Sequence, residues 1–141
     1  MLKKIPKNIS PDLLKILMEM GHGDEIVISD GNFPAHSISQ NVVACDGMGV
    51  REILDSILEL FPLDTKYSQE QVFYMEVVPG DNYVPEIWDD YKKIIDKHEE
   101  NVTIGYIERF KFYERAKKAY AVIHTSESAL YANVILKKGV V

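Results

Sequence analysis

Short apolar runs alternate with stretches of helical period along the whole chain, and no other feature constrains its fold as much. Ile26-Val27-Ile28 is continuous and apolar, the pattern of a strand covered on both faces. Val42-Val43-Ala44, Val72 to Val78, Thr103 to Ile107, Tyr120 to His124 and Tyr131 to Leu136 are five more strand-sized runs. Between them, Leu13, Leu14, Ile16, Leu17 and Met20 form the inner stripe of a first helix. Val50, Ile53, Leu54, Ile57, Leu58 and Phe61 do the same for a second, over residues 49–61. Pro85 opens a third with Ile87, Trp88, Tyr91, Ile94 and Ile95 inside, and residues 110–118 read as a short fourth. The alternation predicts an α/β fold: a three-layer α/β/α sandwich on a mainly parallel open sheet, in one domain spanning residues 1–141.

Local signals set the boundaries. Ser10-Pro11-Asp12 has an N-cap, a proline at the first helical position and an acid at the positive end of the dipole. Gly21 reads as the stop of that helix, so His22 emerges just beyond it. Phe33-Pro34-Ala35-His36 reads as loop, because Pro34 removes a donor and holds Phe33 extended. Asp30 then falls at the carboxyl end of the first strand and Arg109 after the fourth, where ligands of parallel sheets collect.

Charge and composition remove several classes of function. A net charge of −6 has the wrong sign for binding phosphate backbones, so nucleic acid is not expected as a partner. No apolar run approaches the roughly 18–20 residues that span a bilayer. The basic start Met-Leu-Lys-Lys-Ile-Pro-Lys lacks the apolar segment of a signal peptide, and the single Cys45 reads as a small packed hydrophobe. The expected location is the cytoplasm.

Polar chemistry concentrates in Met20 to Ser37, where eighteen residues hold two imidazoles and three carboxylates. Gly21-His22-Gly23-Asp24 lacks the G-x-G-x-x-G spacing and precedes a strand instead of opening a helix, so it is not read as a phosphate loop. His22, Asp24 and His36 lack metal-ligand spacing, and no G-x-S-x-G elbow is present. No metal or cofactor is expected. An imidazole, carboxylates, a guanidinium, a phenol and a carboxamide remain, a set suited to a neutral polyhydroxylated ligand. Each also has a plainer reading: His22 as a helix cap, Asp30 as an Asx turn before Gly31, His98 as a solvated helix residue, and His124 as packing.

Four separated blocks then bear a resemblance. Met20-Gly21-His22-Gly23-Asp24-Glu25-Ile26 is the first, and Asp30 with Phe33-Pro34-Ala35-His36-Ser37 the second. Arg109 to Ala116 is the third, and Tyr131-Ala132-Asn133 with Leu136-Lys137-Lys138-Gly139-Val140 the fourth. The sequence resembles the family of L-fucose mutarotases and D-ribose pyranases, and most of all its bacterial fucose branch. The resemblance implies an isomerase that opens and recloses a sugar ring by acid/base catalysis without a cofactor. It implies His22 as the acid/base residue, Tyr113 as a second proton-handling group, and Asp30, Arg109, Tyr131 and Asn133 as sugar-binding residues. Arg109 is similar to the fucose-type arginine, where ribose-type members carry histidine. L-fucose is therefore the expected sugar and D-ribose the alternative. The resemblance also implies a ring-like homo-oligomer, a decamer, with sites near subunit contacts. Gly31-Asn32 and His124-Thr125-Ser126-Glu127 depart from the Ala-His and Thr-Gly-Glu of close relatives. A D-ribose pyranase and a non-catalytic sugar-binding or regulatory subunit are the competing readings.

Overall fold

The computed structural model describes residues 1–141. In chain order the elements are α1 (Pro11–Glu19), β1 (Glu25–Ser29), α2 (Ala35–Ile38), β2 (Val42–Cys45), α3 (Val50–Leu58), β3 (Val72–Met75), α4 (Ile87–His98), β4 (Ile104–Ile107), α5 (Arg109–Lys118), β5 (Ala121–Thr125) and β6 (Val134–Lys137). The strands form one sheet in the order β2-β5-β1-β6-β3-β4. β2, β5 and β1 pair in parallel, as do β3 and β4, while β6 runs antiparallel between β1 and β3. The sheet is therefore mixed, with five strands pointing one way and β6 the other.

Alternation along each strand splits the core into two layers. Ile26 and Ile28 pack with α1, α3 and α4 through Leu13, Ile53, Leu54, Tyr91 and Ile95. Val27 faces the other way and joins Phe112 and Ala116 of α5, Ala35 of α2, and Phe33. Helices thus cover both faces, as the apolar run of β1 requires. Full burial of Phe112 contributes about 1.5–3 kcal/mol to this second layer.

Two local expectations need correction. Ala35 and His36 belong to α2, not to a loop. Pro34 occupies the N-cap, where a missing N–H removes nothing because the first amides of a helix lack intrahelical partners anyway. As expected, Gly21 is the first residue beyond the Met20 C-cap of α1, and its amide bonds Asp24 Oδ2 at 2.8 Å. The run at 131–136 begins pairing only at Val134, because Tyr131 has φ +56°, which no strand tolerates.

Candidate functional site

Because β6 is antiparallel, its start lies at the same rim of the sheet as the carboxyl ends of β1, β3 and β4. That geometry collects residues from four parts of the chain around a pocket of about 310 Å³. Asp30 comes from β1, Val78 and Asp81 from the turn after β3, Arg109 and Tyr113 from α5, and Tyr131 and Asn133 from the lead into β6. Phe33, Met75 and Leu130 supply apolar wall.

Asp30 is both the expected Asx turn and a pocket residue. Its Oδ1 accepts the Asn32 amide at 2.9 Å, and its own amide donates to Asn133 Oδ1 at 2.8 Å. Burial pushes the Asp30 carboxyl above the usual carboxylate value, against the opposing pull of bonds from Asn32, Phe33 and Asn133. The Glu108 side chain caps α5 through the Phe110 and Lys111 amides, which sets Arg109 at the first helical position. Arg109 Nε then reaches the Tyr113 hydroxyl one turn on, at 3.3 Å. Phe33 packs edge-on against the Tyr113 ring, with centroids 5.5 Å apart.

Tyr131 is held in its left-handed backbone conformation by α4. The Trp88 indole donates to the Tyr131 carbonyl at 2.9 Å, and the Tyr91 hydroxyl to the Ala132 carbonyl at 2.6 Å. A non-glycine residue in that region is strained by about 1–2 kcal/mol, which two such bonds offset. The strain turns the Tyr131 phenol into the pocket. The sequence places Trp88 only on the inner side of its helix, and Asp81 carries no pattern that singles it out.

His22 is elsewhere. It precedes β1 whereas Asp30 follows it, and the eight intervening steps of extended chain put them on the order of 20 Å apart. The turn bearing His22 is tied to the far end of β6, with Gly23 donating to the Lys138 carbonyl and Lys138 to the Asp24 carbonyl, each at 2.8 Å. Asp64, which no sequence signal singled out, is held beside it by its amide bond to the Lys137 carbonyl at 3.2 Å. Gly139 permits this approach, since a Cβ there would stand 2.5 Å from the Leu63 carbonyl oxygen.

The result is a dyad. His22 Nε2 donates to Asp64 Oδ1 at 3.0 Å, and the Ser68 hydroxyl donates to Asp64 Oδ2. Asp64 is 2% exposed and His22 43%. Burial pushes the Asp64 carboxyl up, but the bonds from Ser68 and His22 outweigh it and leave it below the usual carboxylate value. A carboxylate accepting from Nε2–H fixes the tautomer in which Nδ1 carries a free lone pair. His22 is thus no helix cap, and His36 lies apart from it, against His124 with ring centroids 6.0 Å apart.

The fold and pocket define a small α/β domain with a polar, open cleft of monosaccharide size at the strand ends. Residues 3–141 match the RbsD / FucU transport protein family. An L-fucose mutarotase from Histophilus somni is 49% identical over 141 residues, covering 99% of this chain and 97% of that protein. A fucose mutarotase from Streptococcus pneumoniae, solved in complex with L-fucose, superposes with a TM-score of 0.94 at 56% identity and 99% coverage of both chains. Bacillus subtilis RbsD, solved with D-ribose, superposes less closely, with a TM-score of 0.72 at 25% identity over 94% of this chain and 95% of that one. The chain belongs to the RbsD / FucU family.

Proposed function

We propose that the protein interconverts the anomers of a free monosaccharide, L-fucose in particular, by acid/base-catalysed ring opening and closure. One observation carries the reading: a sugar-sized polar pocket on one rim and a histidine–aspartate dyad on the other, in a chain 49% identical to a protein named L-fucose mutarotase.

Ring opening removes the proton from the anomeric hydroxyl, delivers one to the ring oxygen and breaks the bond between C1 and that oxygen. The product is an open aldehyde that closes again on either face, with no net loss or gain of atoms. In this reading His22 Nδ1 takes or returns the anomeric proton, and the Asp64 carboxylate stabilises the imidazolium. Groups of this kind contribute about 10²–10⁴-fold. Tyr113 serves the ring oxygen. Asp30, Arg109, Tyr131 and Asn133 hold the hydroxyls and keep the open chain near its ring geometry.

In this reading the two rims meet by taking His22 from a second copy of the chain, which their separation within one chain supports. Unlike half-sites on opposite ends of one molecule meet through a head-to-tail interface, and repetition of such an interface gives a ring when its rotation closes. The proposal therefore includes a ring-like homo-oligomer, a decamer, with each site shared between neighbours. It also includes a cytoplasmic location, supported by the free Cys45; no helix is long and apolar enough to cross a membrane.

Exchange NMR of the anomeric protons, with L-fucose and D-ribose side by side, tests the reading on wild type and His22→Ala. Exchange accelerated for fucose and lost in the variant is the expected result. Acceleration for ribose alone moves the protein to the pyranase branch. Binding without acceleration of either sugar makes it a binding module and overturns the proposal.

A further inference from the structure

Asp81 is an exposed residue on a surface turn, yet both of its carboxylate oxygens are engaged, one of them by the pocket residue Tyr131. Oδ2 accepts the Tyr131 hydroxyl at 2.7 Å, and Oδ1 accepts the Tyr83 amide at 2.9 Å. The turn itself is fixed: Asp81 N–H bonds the Val78 carbonyl at 3.1 Å across Pro79 and Gly80, and Gly80 has φ +88°. The Val78 amide donates to the same Tyr131 oxygen at 3.3 Å, and the Tyr83 ring stacks on the Tyr131 ring at 5.8 Å. Residues 78–83 thus clasp one side chain.

A phenol has one proton and two lone pairs. The Tyr131 proton goes to Asp81, so what Tyr131 can offer a ligand is a lone pair. The other pocket groups show why this matters. Arg109 is only a donor, and with the Asn133 amide oxygen taken by the Asp30 amide and one of its N–H groups facing the Asp30 carboxyl, what Asn133 leaves for the ligand is its second N–H donor. Sugar hydroxyls that accept from Arg109 and Asn133 must send their own protons to an acceptor. Asp30 is one, and a Tyr131 oriented by Asp81 is the second.

We propose that Asp81 is a positioning residue that fixes the direction of the Tyr131 hydroxyl proton, so that Tyr131 meets the sugar as a hydrogen-bond acceptor. The proposal rests on the pocket being the sugar site. Asp81→Asn isolates the effect, because an amide has a single oxygen and cannot accept from Tyr131 and Tyr83 together.

The test is a double-mutant cycle on the full chain, read as the Kd of L-fucose from titration calorimetry for wild type, Asp81→Asn, Tyr131→Phe and the double variant. Asp81→Asn weakens binding about three- to tenfold, a range reduced from that of a buried bond by solvent at the turn. In the Tyr131→Phe background it adds less than twofold. A downfield hydroxyl proton resonance, present without ligand in wild type and absent from both single variants, is the second readout. An unchanged Kd in Asp81→Asn overturns the proposal. An equal loss in both backgrounds also overturns it, because the loop then acts without Tyr131. Wild type that binds fucose but does not speed anomer exchange refutes the catalytic reading alone, and wild type that binds no fucose refutes both.

Discussion

Replacing Asp64 with asparagine removes one charge from the dyad and turns one acceptor oxygen into an NH₂, which the rotatable Ser68 hydroxyl accommodates by accepting from it. The carboxylate is 2% exposed and bonded to His22 at 3.0 Å, with Ser68 on its second oxygen, so an amide of the same shape fits the site. What changes is the partner of the imidazolium formed during proton transfer. A hydrogen bond to a charged group is worth about 1.5–3 kcal/mol and a neutral one about 0.5–1.5, so the difference is on the order of 1–1.5 kcal/mol. His22 is 43% exposed, and water screening keeps the effect at that modest size instead of the larger loss of a sealed pair. The anomer-exchange rate of Asp64→Asn therefore falls about 5- to 15-fold, with little change in the Kd for L-fucose. Saturation-transfer NMR at increasing enzyme concentration measures the rate, and calorimetry the affinity. A rate within twofold of wild type refutes the argument, as does a loss carried by affinity with the rate intact.

The shared-site reading predicts complementation: His22→Ala and Arg109→Ala are each inactive, but co-expressed they regain about one quarter of wild-type exchange, because one site in four receives both intact halves. No recovery on mixing would place both groups within one chain's site. Trp88→Phe removes the donor to the Tyr131 carbonyl and loosens a strained residue, weakening sugar binding by about 1–2 kcal/mol and lowering Tm, both measurable without enzyme kinetics. Asp30 carries the opposite sign from Asp64. Its folded-state pKa is raised, so its contribution to stability is most favourable below the ordinary value of 3.8 and declines as pH rises through the window above it. Asp30→Asn accordingly raises Tm at pH 7, loses that gain below pH 3.8, and abolishes exchange activity; thermal melts across this range check the sign.

Much of this molecule is legible in its sequence because the signals are periodic or local. The β1 run, the cap at Ser10 and the stripes of α3 and α4 each follow from spacing alone, and Asp30 and Arg109 follow from the strand-end rule. The direction of β6 does not, because three apolar residues and a lysine carry no arrow; yet that direction brings Tyr131 and Asn133 to the same rim as Asp30. Asp64 was invisible as a partner of His22 for a related reason. Forty-two positions separate them, and both are placed by hydrogen bonds to the end of β6. Asp81 left a faint local trace, an acid following Pro-Gly at the end of a strand. The separation of His22 from Asp30 was readable in outline, since a strand placed between two residues keeps them apart.

The sheet's order has a consequence for how the protein is made. β6 is the only link between β2-β5-β1 and β3-β4, and it is the last of the six strands to be synthesised. Until then the emerging chain holds two unconnected sheet fragments, with the open edges of β1 and β3 available to foreign strands. The same strand carries Tyr131 and Asn133 at one end and anchors the His22 turn and Asp64 at the other. A nascent chain is therefore adhesive until β6 inserts, and on the proposed function both half-sites mature in that single event.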